Sequence, residues 1–271
     1  MRRTLLVLGL LLVVGGPRPA AAQGDFKWSG AVPAGKVIEI KGVNGSIRAE
    51  PASGDQVEVV AAKHARKSDP SSVQVEVLQH DGGVTVCAVY PTPAPRQSRS
   101  KRSSHDSGPN VCRPGDEGRM NTRDNDVEVD FTVRVPRRVV FVGRTINGHI
   151  EARSLEERAE AYTVNGRITI SSRGLALAET VNGSIDATLG RADWTGTLDF
   201  RTVNGSITLT LPEDTHTSLR AGTSNGYVSS EFPMTITSSR GGNRRVVGTI
   251  GKGGRDLHLS TVNGEIRLKK T

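Results

Sequence analysis

The chain has 271 residues, 31 of them glycine, and Phe, Tyr and Trp together make only 4% of it. That length holds one large all-β domain or two small ones, and the shortage of aromatics leaves Val, Ile, Leu and Ala to build the core. A formal net charge of +8 permits attraction to anionic envelope polymers or lipid surfaces. Without a clustered basic face interleaved with aromatics, it points away from nucleic acid as a partner.

The first element in chain order is a secretory signal. Arg2 and Arg3 give a positive start. Leu5 to Gly16 is an apolar run too short to span a membrane, and Ala20-Ala21-Ala22 offers a cleavage site. Residues 1–22 are therefore read as a signal peptide, and the protein as exported, to the periplasm or the cell surface and exterior. Cleavage removes Arg2, Arg3 and Arg18 and lowers the net charge from +8 by three. No second apolar stretch of spanning length follows, so no transmembrane segment is expected in the mature chain.

Residues 23–90 read as a β region, with short strands at Val57–Val60, Val73–Leu78 and Val84–Val89 and a turn at His80-Asp81-Gly82-Gly83. Residues 91–126 carry Pro91, Pro93, Pro95, Pro109 and Pro114 among serines and mixed charges. This composition predicts a disordered insertion. Its basic run, Arg96, Arg99, Lys101 and Arg102, is read as a solvated loop in preference to a contact arm for an anionic partner. Cys87 and Cys112 are candidates for a disulfide in an oxidising compartment. Val127 to Val135 is a long alternating strand stopped by Pro136. Residues 127–271 form a repeat region, continuous with 23–90 as one domain.

The repeat is the strongest signal. Asn-Gly occurs seven times, at Asn44, Asn147, Asn165, Asn182, Asn204, Asn225 and Asn263. From Asn147 to Asn225 the spacings are 18, 17, 22 and 21, and the last step is 38, which suggests a degenerate copy between. Thr stands two residues before the Asn in every copy except the first, which has Gly42. Val or Ile precedes the Asn except at Ser224, and Ile or Val follows three residues later. Asn and Gly tolerate positive φ and make tight turns, while the flanks alternate with period two as half-buried strands do. Each copy is thus strand, Asn-Gly turn, strand.

Two all-β architectures fit. In a β-solenoid-like stack of roughly 20-residue two-strand repeats the turns pile on one another; in an antiparallel hairpin meander they do not. The stack is preferred, because a hairpin would waste the residue before Asn on solvent, whereas a solenoid corner can turn it inward. Stacking in chain order makes Gly205 central and Gly264 terminal, so Gly205→Val should cost far more than Gly264→Val. Pro233 to Arg245 reads as a breaker-rich interruption before the last two coils, and Lys269 and Lys270 as charges protecting the last edge.

Catalytic motifs are missing: there is no G-x-S-x-G, H-E-x-x-H, C-x-x-C or P-loop. No cofactor or metal is expected. His149 and His258 sit near repeat turns and are read as surface histidines. Asp124, Asp126, Glu128 and Asp130 could gather a hard cation on one strand face, but a solvent-facing strand is the plainer reading. Asn44, Asn182 and Asn204 fit the glycosylation sequon, which turn chemistry explains without glycan.

Val-Asn-Gly-Ser-Ile at 43–47, Val-Asp-Phe-Thr-Val-Arg-Val-Pro at 129–136 and the following Thr-Val-Asn-Gly-x-Ile ladder resemble the bacterial putative-adhesin domain, a family of unknown function in exported and membrane proteins. The resemblance covers about residues 36–271, apart from the insertion. It implies a solenoid-like fold and supplies no catalytic residues.

Three functions compete. The first is a non-catalytic adhesin-like or structural protein of the cell envelope, binding a surface glycan or other envelope component through the turns at Asn147, Asn165, Asn182, Asn204, Asn225 and Asn263. The second is a polysaccharide-acting β-helix enzyme, for which Asp186, Asp193 and Asp199 are the nearest carboxylates. The third is a regulatory envelope scaffold that holds a protein partner.

Overall fold

The protein is described from a computed structural model covering residues 26–94, 108–240 and 244–271. The expected signal peptide and the basic run at 96–102 lie outside these residues.

Each Asn-Gly copy carries the chain from one sheet to the other. β1 (Phe26–Ala31) precedes the first unit, β2 (Val37–Lys41) and β3 (Ile47–Pro51) around Asn44. β4 (Gln56–His64), β5 (Gln74–His80), β6 (Gly83–Val89) and β7 (Glu128–Val135) follow. The next units are β8 (Val140–Arg144) with β9 (Ile150–Leu155), β10 (Ala159–Tyr162) with β11 (Ile168–Ser172), and β12 (Ala176–Glu179) with β13 (Ile185–Leu189). Then come β14 (Thr197–Arg201) with β15 (Ile207–Leu211), and β16 (Thr217–Gly222) with β17 (Val228–Ser230). The antiparallel pair β18 (Met234–Arg240) and β19 (Arg245–Ile250) precedes the last unit, β20 (Arg255–Ser260) with β21 (Ile266–Lys270).

The strands before the turns lie in one sheet, ordered β18-β19-β16-β20-β14-β12-β10-β8-β2-β6-β5. Those after the turns lie in the other, ordered β1-β4-β7-β3-β9-β11-β13-β15-β21-β17. Successive units pair in parallel. The architecture is therefore the solenoid-like stack and not the hairpin meander, which would make strands joined by a turn antiparallel neighbours in one sheet. Antiparallel pairing is confined to the two ends, at β1-β4-β7, β5-β6 and β16-β19-β18.

Registration aligns like with like. Ile47, Ile150, Ile168, Ile185, Ile207, Ile266 and Val228 form one inward row, and all are buried. Burying each such side chain contributes about 1.5–3 kcal/mol. Ile38, Ile40, Leu198, Phe200, Leu257 and Leu259 face them from the other sheet, buried as the alternation predicts. The core is mostly Val, Ile, Leu and Ala, but Phe131, Phe141, Phe200 and Tyr90 are among its largest fully buried side chains.

Four readings of the sequence change. The last unit is not terminal in space: β20 lies between β14 and β16, and β21 between β15 and β17. Parallel pairing depends on matching edges, not on chain order, so the final unit fills the gap between the Asn204 and Asn225 units. Lys269 and Lys270 consequently end an internal strand rather than protect an edge. Among the described residues no degenerate coil occupies the long step before Asn263; Met234–Arg240 forms an edge strand and Arg245–Ile250 joins it to β16, where breakers suggested an interruption. The insertion is ordered at 108–126, because its contacts compensate for its poor apolar content. Cys112 is disulfide-bonded to Cys87, and the Lys41 ammonium donates to the carbonyls of Arg113, Gly115 and Glu117 at 2.7–2.8 Å. The residues before Asn point outward, as described below.

Two of the four carboxylates at 124–130, Asp126 and Asp130, hold backbone in separate places. Asp130 accepts from the Ser46 N–H at 2.7 Å. Asp126 accepts from the N–H groups of Arg66, Lys67 and Ser68. The Ser68 backbone and hydroxyl bonds, followed by those to Lys67 and Arg66, hold its carboxyl down at about 2 from an ordinary 3.8. A depressed acid contributes stability above its unfolded pKa and loses it as pH falls through the folded value. The Ser68 amide resonance should therefore titrate with a midpoint near 2 in an NMR acid series. A midpoint near 4 would show that the cap is not formed.

Candidate functional site

The repeated corner is built from five consecutive positions, and its hydrogen bonds run between coils. Thr is buried, and its hydroxyl donates to the corner Gly carbonyl of the neighbouring coil. These bonds, from Thr145, Thr163, Thr180, Thr202, Thr261 and Thr223, are 2.8–3.1 Å long. The Gly then comes against that same carbonyl: a Cβ on Gly166 would stand 1.9 Å from the Gly148 oxygen, and one on Gly183 1.9 Å from the Gly166 oxygen. Glycine is required here because the neighbouring coil occupies the side-chain position.

The asparagines form an exposed ladder in spatial order 44, 147, 165, 182, 204, 263, 225. Each Nδ2 donates to the Oδ1 of the preceding rung, at 2.9 Å for Asn147 to Asn44 and 2.7 Å at the other five steps. The six turn asparagines expected to bind are thus brought into one line. At the Asn44 end the Tyr90 hydroxyl closes the ladder, donating to the Val127 carbonyl at 2.7 Å beside the Asn44 backbone. Burial, the largest cause, pushes the Tyr90 phenol up to about 12.

The residue before each Asn does not turn inward. Ile146, Val164, Val181, Val203 and Val262 are 37–41% exposed and form an aliphatic row beside the amides; Val43, at the closed end, is buried. Thr already occupies the inward position, so strand alternation sends the next side chain out.

Sequence reading missed the position after Gly. Ser46, His149, Ser184 and Ser206 each accept the N–H of the corresponding residue on the next coil, at 2.9–3.3 Å. The signal was available, since these four all carry an acceptor. His149 thus has a defined role through Nδ1. Beside the ladder lies an open groove of about 780 Å³, with Asn165, Asn182 and Asn204 on one side and Arg153, Arg167 and Thr169 among its other lining residues. At its end the Arg153 guanidinium holds the Glu151 carboxyl below the ordinary value, and Arg48 at 3.3 Å adds to this.

The carboxylates considered for catalysis are dispersed. Asp186 is on β13 in one sheet, Asp199 on β14 in the other, and Asp193 between strands. Asp193 and Asp199 are each paired with an arginine, Arg191 and Arg201. Among the described residues no group of three or more His, Cys, Asp or Glu is placed to hold a metal ion. Nor is any helix among them long and apolar enough to cross a membrane.

Parallel coils of two sheets, joined at a hydrogen-bonded Asn-Gly corner, define a β-solenoid-like repeat protein. Residues 144–269 match the family model described as Toastrack DUF4097. The Asn44 unit lies outside the match but continues the same stack. No curated protein matches the chain. A solved structure described as a putative cell adhesion protein from Clostridium sporogenes is similar over 92% of this chain and 100% of that chain, at 9% identity and a TM-score of 0.45. Another, described as a putative adhesin from Bacteroides fragilis, is similar over 92% and 98%, at 11% identity and a TM-score of 0.32.

Proposed function

We propose that the protein is a non-catalytic, exported, adhesin-like scaffold of the cell envelope that binds a repetitive glycan along the corner ridge. The observation that carries this reading is the exposed asparagine ladder with an aliphatic row beside it. An amide has two donors and two acceptor lone pairs, and the ladder uses one of each, so every interior rung retains one donor and one acceptor for a hydroxyl. The adjacent Val and Ile side chains offer an apolar strip for the C–H faces of a sugar ring. Coils stack about 4.8 Å apart, so weak contacts recur along the axis and add up through repetition. The groove carries few and mixed charges, Glu151 paired with Arg153 and a further Arg167, beside Thr169, Ser184 and three asparagines, a lining that favours a polar polymer of little net charge.

The test is co-sedimentation of the purified protein with peptidoglycan, surface glycan and lipid vesicles at low and high salt. Saturable, salt-resistant pelleting with one polymer is expected, weakened about tenfold or more by the double substitution Val181→Glu, Val203→Glu. Both sites are exposed, so the fold should tolerate the change. Binding unchanged in the double variant, or binding to none of the polymers, would remove the corner ridge as the site. Conversion of a polysaccharide to shorter products would favour the enzyme reading instead.

A further inference from the structure

On the opposite side of the corner unit from the groove, the outer face of the sheet at β14, β20, β16 and β19 carries a hollow of about 430 Å³. Registration sets its pattern. Asp199, His258, Arg220 and Val247 lie across the four strands in one row, and Arg201, Ser260, Gly222 and Arg245 in the next. Their inward neighbours Phe200, Leu259, Ala221 and Val246 are buried, so these rows face out. Ser260 and Gly222 make a low floor: a Cβ on Gly222 would meet nothing within 4 Å.

The charges around this floor are unbalanced. Arg201 is paired with Asp199 through Nε and Nη2 of its guanidinium. Arg220 and Arg245 are exposed, and among the described residues neither has a hydrogen-bond or ion-pair partner. They stand diagonally across β16 and β19, which places their Cα atoms about 7–8 Å apart, close enough for both planar forks to reach one oxyanion. Among the described residues no carboxylate forms an ion pair with either to offset their mutual repulsion, although Asp256 stands diagonally from Arg220 on β20. His258, beside Arg220, has a buried Nε2 without a hydrogen-bond partner.

We propose that this hollow binds a phosphate group, held by Arg220 and Arg245, with Ser260 and His258 as neighbours on the floor and wall. Two uncompensated guanidiniums match the charge of a phosphomonoester, and arginine forks fit its oxygens in pairs. Asp199 faces the same hollow but is neutralised by Arg201, so it does not repel the anion in full. This site is separate from the corner ridge and does not depend on the glycan reading.

The experiment follows the His258 ring resonances of the purified protein by NMR during addition of inorganic phosphate, with chloride exchanged to keep ionic strength constant. A saturable shift is expected, with affinity falling about tenfold for Arg220→Gln and again for Arg245→Gln, and unchanged for Arg167→Gln on the corner groove. A second arm uses phosphatidylcholine vesicles with and without phosphatidic acid. Retention on the phosphatidic acid vesicles, lost in the double variant, assigns a lipid headgroup; binding of phosphate alone assigns a soluble phosphate ester. The proposal is overturned if the His258 signal does not saturate, or if the Arg220→Gln, Arg245→Gln double variant responds like the parent protein.

Discussion

Alanine at Gly264 should destabilise the protein as severely as alanine at Gly205, by about 3 kcal/mol or more each. A Cβ on Gly205 would lie 2.0 Å from the Gly183 carbonyl oxygen, and one on Gly264 2.1 Å from that of Gly205. The obstruction is backbone in both cases, so no side chain can swing aside. Neither coil can move away, because each has a further coil on its other face: Gly264 is followed by Gly226, whose own Cβ would meet the Gly264 oxygen at 2.0 Å. Gly264 also has φ +156, which adds to the cost of any side chain. Gly54→Ala is the control, since nothing lies within 4 Å of its Cβ, and it should stay within about 0.5 kcal/mol. Urea midpoints of the three variants decide the matter. If Gly264→Ala behaved like Gly54→Ala, the last unit could not be inserted between its neighbours.

That expectation reverses the one drawn from chain order, and the reversal shows where sequence reading ends. The corner was legible because Thr, Asn, Gly and Ile recur with fixed offsets, and each type has one strong reason to be there. Thr is needed wherever a neighbouring Gly carbonyl must be met from inside. Gly42 replaces it in the first unit, where β7 and not another Asn-Gly corner is the neighbour. The direction of Val164 or Val203 was misread because a residue's hydrophobicity was set above its place in the alternation. The stacking order was hidden because the Asn204, Asn225 and Asn263 units have interchangeable edges. One clue remained: the Asn225 unit departs furthest from the pattern, with Ser224 before the Asn and Tyr227 after the Gly. End units of a stack are commonly the irregular ones. The ordering of 108–126 was legible only through the candidate Cys87–Cys112 disulfide, because its other anchors, Glu39 and Lys41, lie far away in the sequence and carry no pattern.

Glu39→Ala should be the most damaging side-chain truncation on the outer face of that sheet, costing about 3 kcal/mol, whereas Asp116→Ala should cost less than about 1. The two carboxylates touch the same guanidinium at similar distances: Arg144 lies 2.9 Å from Glu39 and 2.8 Å from Asp116. Burial separates them. The Asp116 side chain is 91% exposed and that of Glu39 only 5%. Water screens the first pair, while the second also accepts from the Thr85 hydroxyl at 3.0 Å and the Gly115 N–H at 2.9 Å. Removing Glu39 leaves the half-buried Gly115 N–H without its acceptor, leaves the Thr85 hydroxyl only His80 as a side-chain partner, and takes away the charge that favours the ammonium of Lys41, whose pKa burial already pushes down. The Arg144 guanidinium keeps its place over the Tyr162 ring, 4.2 Å from the centroid, so the loss should fall on the insertion more than on β8. Hydrogen exchange should accordingly show Gly115 deprotected in Glu39→Ala at denaturant concentrations where the Asn ladder remains protected. If Glu39→Ala and Asp116→Ala proved equally mild, the insertion would not be held by the buried carboxylate, and the disulfide and Lys41 would have to anchor it without Glu39.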